Sequence, residues 1–265
     1  MNTIRNFFIV TVLAALVTAC GAPQLSTSTL PVPTSTALPS KTSLPLPTFT
    51  NSPEPTPSST PAPIPTDTPI GQIFRDDFSI NLQAGWAWHN ENPARWTITP
   101  EGWLQILGED ASLLANEFQN NLLCRNAPTG EFEITVHLIA DPSVNFQQTT
   151  LYLYQDSENY IAINRGYCGP CLTNGSGVFM EYKIAGSMGA YMEKTKDTDV
   201  FLRLVNQGQT ITGYYAFEPE KWQLFGKIGN FVKIANICLG VSNVDSAGIN
   251  ADLVGRFDYI EISQP

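Results

Sequence analysis

Three short patterns in this chain have the residue types and spacing of chemistry. Cys168-Gly-Pro-Cys171 has the spacing of a redox dithiol. That use needs the first cysteine at a helix N-terminus, where the dipole lowers its pKa. Here the pair follows an alternating stretch, Tyr160–Arg165, and leads into the turn-rich Leu172-Thr-Asn-Gly-Ser-Gly177. No βαβ pattern surrounds it, so a structural disulfide is expected. A zinc site needs a second such pair or a histidine pair, and His89 and His137 are the only histidines. The second pattern is carboxylate spacing in Glu131-Phe-Glu133 and Asp258-Tyr-Ile-Glu261. Glycoside hydrolysis needs two carboxylates facing one bond, but no GxSxG, HExxH or Gly-rich phosphate loop accompanies them. The third is a set of amides and aromatics placed to read hydroxyls and sugar C–H faces.

That third set depends on strands. Glu131–Ala140 alternates, with Phe132, Ile134, Val136 and Leu138 on one side and Glu133, Thr135 and His137 on the other. A period of two over this length marks a sheet with one buried face. Pro142–Asn145 breaks the run, Gln147–Tyr154 resumes it, and Asp156-Ser-Glu-Asn159 supplies turn chemistry before Tyr160–Asn164. The stretch Leu122–Arg165 therefore reads as three or four consecutive antiparallel strands. Parity puts Phe146, Gln148, Thr150, Tyr152 and Tyr154 opposite Leu151 and Leu153. It likewise puts Tyr160, Ala162 and Asn164 opposite Ile161 and Ile163. Glu181, Arg203 and Tyr214 fall on the non-core faces of their strands. The candidate ligand residues are Gln148, Tyr152, Asn164, Glu181, Arg203 and Tyr214, with the bland alternative that each is core or a solvated face. Trp96 and Trp103 read as core.

The block from Leu122 to Tyr167, continued by Val200–Val205, Thr210–Phe225, Ile237–Asn243 and Gly255–Ile262, resembles the concanavalin A-like sandwich of family 43 β-xylosidases. There it forms the C-terminal, non-catalytic domain. Arg75–Phe78 and Trp86–Trp96 match the opening of that domain, so the likeness covers roughly residues 72–263. It implies an all-β, concanavalin A-like jelly-roll β-sandwich of two antiparallel sheets. The resemblance also places Trp86, Trp88 and His89 near the rim of a ligand-facing sheet, which adds them to the candidates. Its terminal strands are neighbours, so Asp76, Asp77 and Asp258 are a candidate structural Ca²⁺ set. The competing reading is that the two aspartates merely open a strand before buried Phe78. Beyond that ion no cofactor is expected. Glucanases of this fold carry an ExDxE or ExDxxE strand that neither carboxylate pattern completes, so a glycoside hydrolase is the least favoured function and no enzyme is expected. Nothing in the sequence resembles the xylosidase catalytic domain, so xylan specificity is not carried over.

Ahead of the domain, residues 1–19 read as a signal peptide. Arg5 precedes an apolar run, Phe7–Ala19, that is too short to span a bilayer. Val17-Thr18-Ala19-Cys20-Gly21 resembles the bacterial lipoprotein signal, with Cys20 lipidated and membrane-anchored. Residues 20–70 hold thirteen of the chain's twenty prolines among Ser and Thr. They read as a disordered stalk, too poor in apolar surface to fold. Residues 71–265 are the displayed domain. Excluding the leader and stalk leaves the net charge at −10, which disfavours nucleic acid and anionic lipid. Apart from Cys20, the cysteines are Cys124, Cys168, Cys171 and Cys238, an even set that fits an oxidising compartment. Three pairings are open; Cys168–Cys171 as a local clip and Cys124–Cys238 as a cross-strand tie are favoured. The expected protein is an extracytoplasmic, lipid-anchored module of the cell envelope. Its expected partner is a glycan or, alternatively, another envelope protein that it binds as a structural or adhesion module.

Overall fold

The computed structural model describes residues 71–110, 119–243 and 252–264; the leader, Cys20 and the stalk lie outside them. Within them the chain forms fifteen β-strands and one short 3₁₀ turn, Pro93–Arg95. The strands are β1 (Gly71–Asp76), β2 (Ala87–His89), β3 (Trp96–Ile98), β4 (Leu104–Leu107) and β5 (Leu122–Asn126). Next come β6 (Phe132–Ile139), β7 (Gln147–Asp156), β8 (Asn159–Tyr167), β9 (Ser176–Ile184) and β10 (Ser187–Lys194). The last five are β11 (Asp199–Gln207), β12 (Thr210–Ala216), β13 (Gln223–Gly229), β14 (Asn236–Asn243) and β15 (Val254–Gln264).

They build two antiparallel sheets. One has eight strands in the order β13-β12-β11-β6-β15-β4-β3, with β1 also paired to β15; the other has seven in the order β10-β9-β8-β7-β14-β5-β2. Where three or four consecutive antiparallel strands are expected between Leu122 and Arg165, four are present, but only β7 and β8 pair with each other. β5 and β6 belong to different sheets, because this chain crosses the sandwich between them. Alternation specifies a strand's buried side, not its neighbours.

The core lies between the sheets. Phe132, Ile134, Val136 and Leu138 of β6 face Leu151 and Leu153 of β7 and Ile161 and Ile163 of β8 within one buried cluster. The tyrosine hydroxyl of Tyr191 on edge strand β10 donates to the carbonyl of Lys227 on edge strand β13, at 2.8 Å. That bond ties two free edges together on one side. Both favoured disulfides form. Cys124–Cys238 links register partners on β5 and β14, and Cys168–Cys171 closes the loop after β8.

Candidate functional site

The outward face of the seven-stranded sheet is not a solvated surface at its centre. Gln148 of β7, Asn164 of β8 and Glu181 of β9 stand in adjacent strands and converge. The Gln148 amide donates to both Glu181 carboxylate oxygens at 3.1 and 3.2 Å, and the Asn164 amide donates to one at 2.9 Å. Tyr152 stands in Glu181's register row, across Ala162, and Tyr160 one row along; the two rings meet edge-on, with centroids 5.8 Å apart. With Leu122, Ala162 and the Cys124–Cys238 bridge they form a second, smaller apolar cluster. The Tyr152 hydroxyl donates to the side-chain oxygen of Gln119, which lies across this face.

Among the described residues, several buried polar atoms here find no hydrogen-bond partner: Asn164 Oδ1, the Tyr160 hydroxyl and Gln119 Nε2. Asn164 and Tyr160 are 0% exposed. Buried polar groups are nearly always satisfied, so three orphans on one face depart from the usual pattern of a core. Glycines make room: a Cβ at Gly166 would lie 2.7 Å from Asn164 Oδ1, and one at Gly240 would lie 2.3 Å from Gln119 Nε2.

Burial pushes the Glu181 carboxyl up to about 7 from an ordinary 4.5, even though the Gln148 and Asn164 amides favour its ionised form. The same burial, with Glu181 nearby, raises the Tyr152 and Tyr160 hydroxyls. A carboxyl raised in the folded state binds its proton more tightly there than in the unfolded chain. The stability this confers is full below about 4.5 and is lost as pH rises through about 7. We predict a decline on the order of 2 kcal/mol across that window, with partial solvent contact of Glu181 discounted. Urea titrations at a series of pH values should show it, and Glu181→Gln should flatten it; an unchanged slope in the variant counts against the assignment.

The other sequence candidates are placed elsewhere. Arg203 and Tyr214 are register partners on β11 and β12, on the outward face of the opposite sheet. There Arg203 lies 4.0 Å over the Trp222 ring and Arg75 lies 4.0 Å over Tyr259. The two pairs flank a cleft of about 320 Å³ that also holds Glu133 and Glu261. His89 is on β2, five strands from Glu181, or about 24 Å at ordinary strand spacing. Trp86 and Trp88 do structural work. The Trp86 indole donates to Asp76 at 2.8 Å, and Trp88 packs at a tilt on Trp96, centroids 4.8 Å apart, against the main core. Trp103, read as core, is instead half-buried on the outward face of the eight-stranded sheet, 5.4 Å from the His137 ring. Both ring nitrogens of His137 meet carboxylates, Asp258 at 2.8 Å and Asp199 at 2.7 Å.

The Ca²⁺ set does not assemble. Asp76 is buried and accepts from the Phe78 amide, the Gln83 amide and the Trp86 indole. Asp77 pairs with Arg75, and Asp258 is taken by His137. Among the described residues no group of three metal-ligating side chains exists. Asp76 is therefore a knot that closes the turn after β1. Asp76→Asn places an NH₂ where donors converge and should cost about 2 kcal/mol in chemical unfolding.

Of the candidates, the structure brings together Gln148, Tyr152, Asn164 and Glu181, which period-two alternation puts on the outward sides of their strands; beside them it sets Tyr160 and Gln119, the latter in no strand.

Residues 75–236 match the family model described as the β-xylosidase C-terminal concanavalin A-like domain. Among solved structures, a GH43 protein of Bacillus licheniformis, BlXynB, superposes with a TM-score of 0.63 at 18% identity, covering 72% of this chain and 39% of that one. A xylan β-1,4-xylosidase from Bacillus halodurans C-125 gives 0.57 at 19% identity over the same shares. A Bacillus licheniformis β-glucanase gives 0.52 at 14% identity, covering 74% of this chain and 98% of that one. At these identities the likeness is one of fold. The chain spans about two fifths of the length of the first two. No curated protein matches it.

Proposed function

Because the chain belongs to the family of β-xylosidase C-terminal concanavalin A-like domains, we propose that it is a non-catalytic carbohydrate-recognition module. Its ligand seats on the outward face of the seven-stranded sheet. The supporting observation is the Gln148–Asn164–Glu181 cluster, in which two buried amides orient a partly exposed carboxylate. Glu181 keeps partial exposure, and a saccharide's hydroxyls donate to a carboxylate oriented in this way. The centre of this face carries one carboxylate among the described residues, whereas glycoside hydrolysis needs two. Recognition is therefore proposed without turnover. Glu133 and Glu261 on the opposite sheet are held by Arg203 and Arg75.

The module is proposed to be displayed from the envelope, anchored by lipid on Cys20 and spaced by the proline-rich segment. Mass spectrometry of the N-terminal peptide checks the anchor. Cys20→Ala should release the protein from the membrane fraction.

The binding test is a glycan and polysaccharide screen with reducing-sugar release followed in the same wells. Saturable binding without release is expected. Asn164→Ala should weaken it about tenfold, since a lost hydrogen bond beside a charged group contributes about 1.5 kcal/mol. Binding unaffected by Asn164→Ala moves the site elsewhere, and release of reducing sugar overturns the non-catalytic reading.

A second reading, docking of an envelope protein, is favoured by the Arg75–Tyr259 and Arg203–Trp222 cleft. Arginine and aromatic side chains are the types that anchor protein interfaces. Trp222→Ala separates the two, abolishing protein capture while leaving glycan binding intact.

A further inference from the structure

On the outward face of the eight-stranded sheet, one register row runs through Arg203 of β11, Thr135 of β6, Glu261 of β15 and Arg75 of β1. Glu133 stands two positions from Thr135 along β6. Phe201 and Tyr259 stand two positions the other way along β11 and β15, so charged groups and aromatic rings follow one another on the same face. They line the cleft of about 320 Å³, a volume at the small end of ligand sites. Its two arginines differ. Arg75 is closed, with Nε and Nη2 on Asp77 at 2.8 and 2.7 Å and Nη1 on Glu261 at 2.7 Å. Arg203 is open. Its Nε donates to the Thr135 hydroxyl at 3.0 Å, but Nη1 stays 3.7 Å from Glu133, beyond hydrogen-bond reach. Among the described residues no acceptor meets Nη2 and no donor meets Glu133 within that reach. The Arg203 side chain is 25% exposed and that of Glu133 17%, so both present unfilled capacity to the cleft. The Trp222 ring, 4.0 Å away, and Thr135 hold the guanidinium in place.

We propose that this cleft binds a free α-amino acid with an apolar side chain. Its carboxylate takes the open Nη edge of Arg203, its ammonium takes Glu133, and its side chain lies on Phe201 and Tyr259. Neither the glycan reading nor protein docking at this cleft requires such a ligand. A planar guanidinium edge matches a carboxylate, and contacts between opposite charges are the strong ones. The spacing selects the ligand: a cation and an anion 3.7 Å apart suit opposite charges carried on one Cα. The termini of an extended dipeptide stand about 7 Å apart and overshoot the pair. A zwitterion has no net charge, so the chain's −10 does not repel it as it would a lone anion. A lone cation leaves Arg203 open, and a saccharide hydroxyl brings neither residue an opposite charge.

The test is calorimetric titration of the full-length protein near neutral pH with leucine, leucinamide, N-acetylleucine, glycine, leucyl-leucine and xylotriose. Saturable binding of leucine is expected. Leucinamide and N-acetylleucine should each bind about tenfold more weakly, because each lacks one charge-assisted contact. Glycine should also bind about tenfold more weakly, since it buries no apolar side chain. Two variants should give a crossed pattern that loss of structure alone does not produce. Glu133→Gln should bind leucine and N-acetylleucine alike while still rejecting leucinamide. Arg203→Gln should bind leucine and leucinamide alike while still rejecting N-acetylleucine. Leucinamide, N-acetylleucine or glycine binding the wild-type protein as tightly as leucine overturns the proposal, as does a discrimination that survives in its own variant. Leucyl-leucine binding as tightly as leucine also overturns it, by showing a site for peptide termini. Displacement of leucine by xylotriose overturns it in favour of a saccharide groove, and no binding of leucine overturns it outright; neither result touches the glycan site on the opposite face. If Arg203→Gln does not fold, the amide and acetyl comparisons on the wild-type protein decide.

Discussion

Replacing Arg165 with methionine is expected to destabilise the domain by about 3–5 kcal/mol, a large fraction of the stability of an ordinary domain. Arg165 is 0% exposed, with no acidic side chain bonded to its guanidinium. Its Nε donates to the Asp197 carbonyl at 2.7 Å, and Nη1 donates to the Gly166 and Gly177 carbonyls, each at 3.0 Å. Nη2 donates to the Ser176 hydroxyl at 2.7 Å. Burial lowers its proton affinity, and Asp141 and Asp197 at longer range oppose that. One planar fork thus satisfies acceptors on β8, at the start of β9 and on the loop before β11. Methionine fills the space but removes the donors to the buried carbonyls of Gly166 and Gly177 and the part-buried carbonyl of Asp197, the buried ones each costing on the order of 1 kcal/mol or more. Lysine offers a point charge rather than a fork and should recover only part of the loss. Thermal unfolding reads the result directly: at 2–4 °C per kcal/mol for a domain of this size, the methionine variant should melt about 10–15 °C lower. A shift of only a degree or two shows that other groups hold β8 to β9. The functional reach is short, because Asn164 precedes Arg165 on β8 and Glu181 lies on the strand that Arg165 clamps.

Arg165 also marks where sequence reading stops. Alternation places it with Ile161 and Ile163, on the core side. A charged residue on that side signals a buried, fully bonded guanidinium, but its acceptors lie on loops whose course no periodicity encodes. The site divides the same way. Gln148, Asn164 and Glu181 are legible because neighbouring strands β7, β8 and β9 are joined in sequence and share one face. Arg203 and Tyr214 have the same outward parity on strands of the other sheet, because parity carries a side and not a sheet. Trp86 and Trp88 look like ligand platforms in sequence. The structure gives one an aspartate partner and the other an indole partner, a distinction only tertiary contact makes. Asp76 resembles a metal ligand until its three N–H donors are counted.

The largest single effect is expected at the Cys124–Cys238 bridge. The two residues are register partners on β5 and β14, separated by 114 positions in sequence, and both are buried. Cross-linking a loop of that length removes unfolded-chain entropy equivalent to about 5 kcal/mol in the loop-closure model, against about 2 kcal/mol for a four-residue loop such as Cys168–Cys171. The double variant Cys124→Ala/Cys238→Ala should therefore melt about 10–20 °C below the parent, and Cys168→Ala/Cys171→Ala only about 4–8 °C below. Because the long-range bridge is buried in the cluster with Tyr152, a thiol reductant has no path to it in the native domain. Reductant alone should leave the fold unchanged, whereas reductant with denaturant should yield a chain that refolds to the lower stability of the double variant. Loss of the fold in reductant alone overturns the buried-bridge account. The same thiols test the proposed compartment. Disulfides persist in oxidising surroundings and are rare in the cytosol, so protein taken from its native cells under thiol-blocking conditions should show all four domain cysteines oxidised. Free Cys124 and Cys238 in that material would place the domain in a reducing compartment, contrary to the envelope display proposed from Cys20.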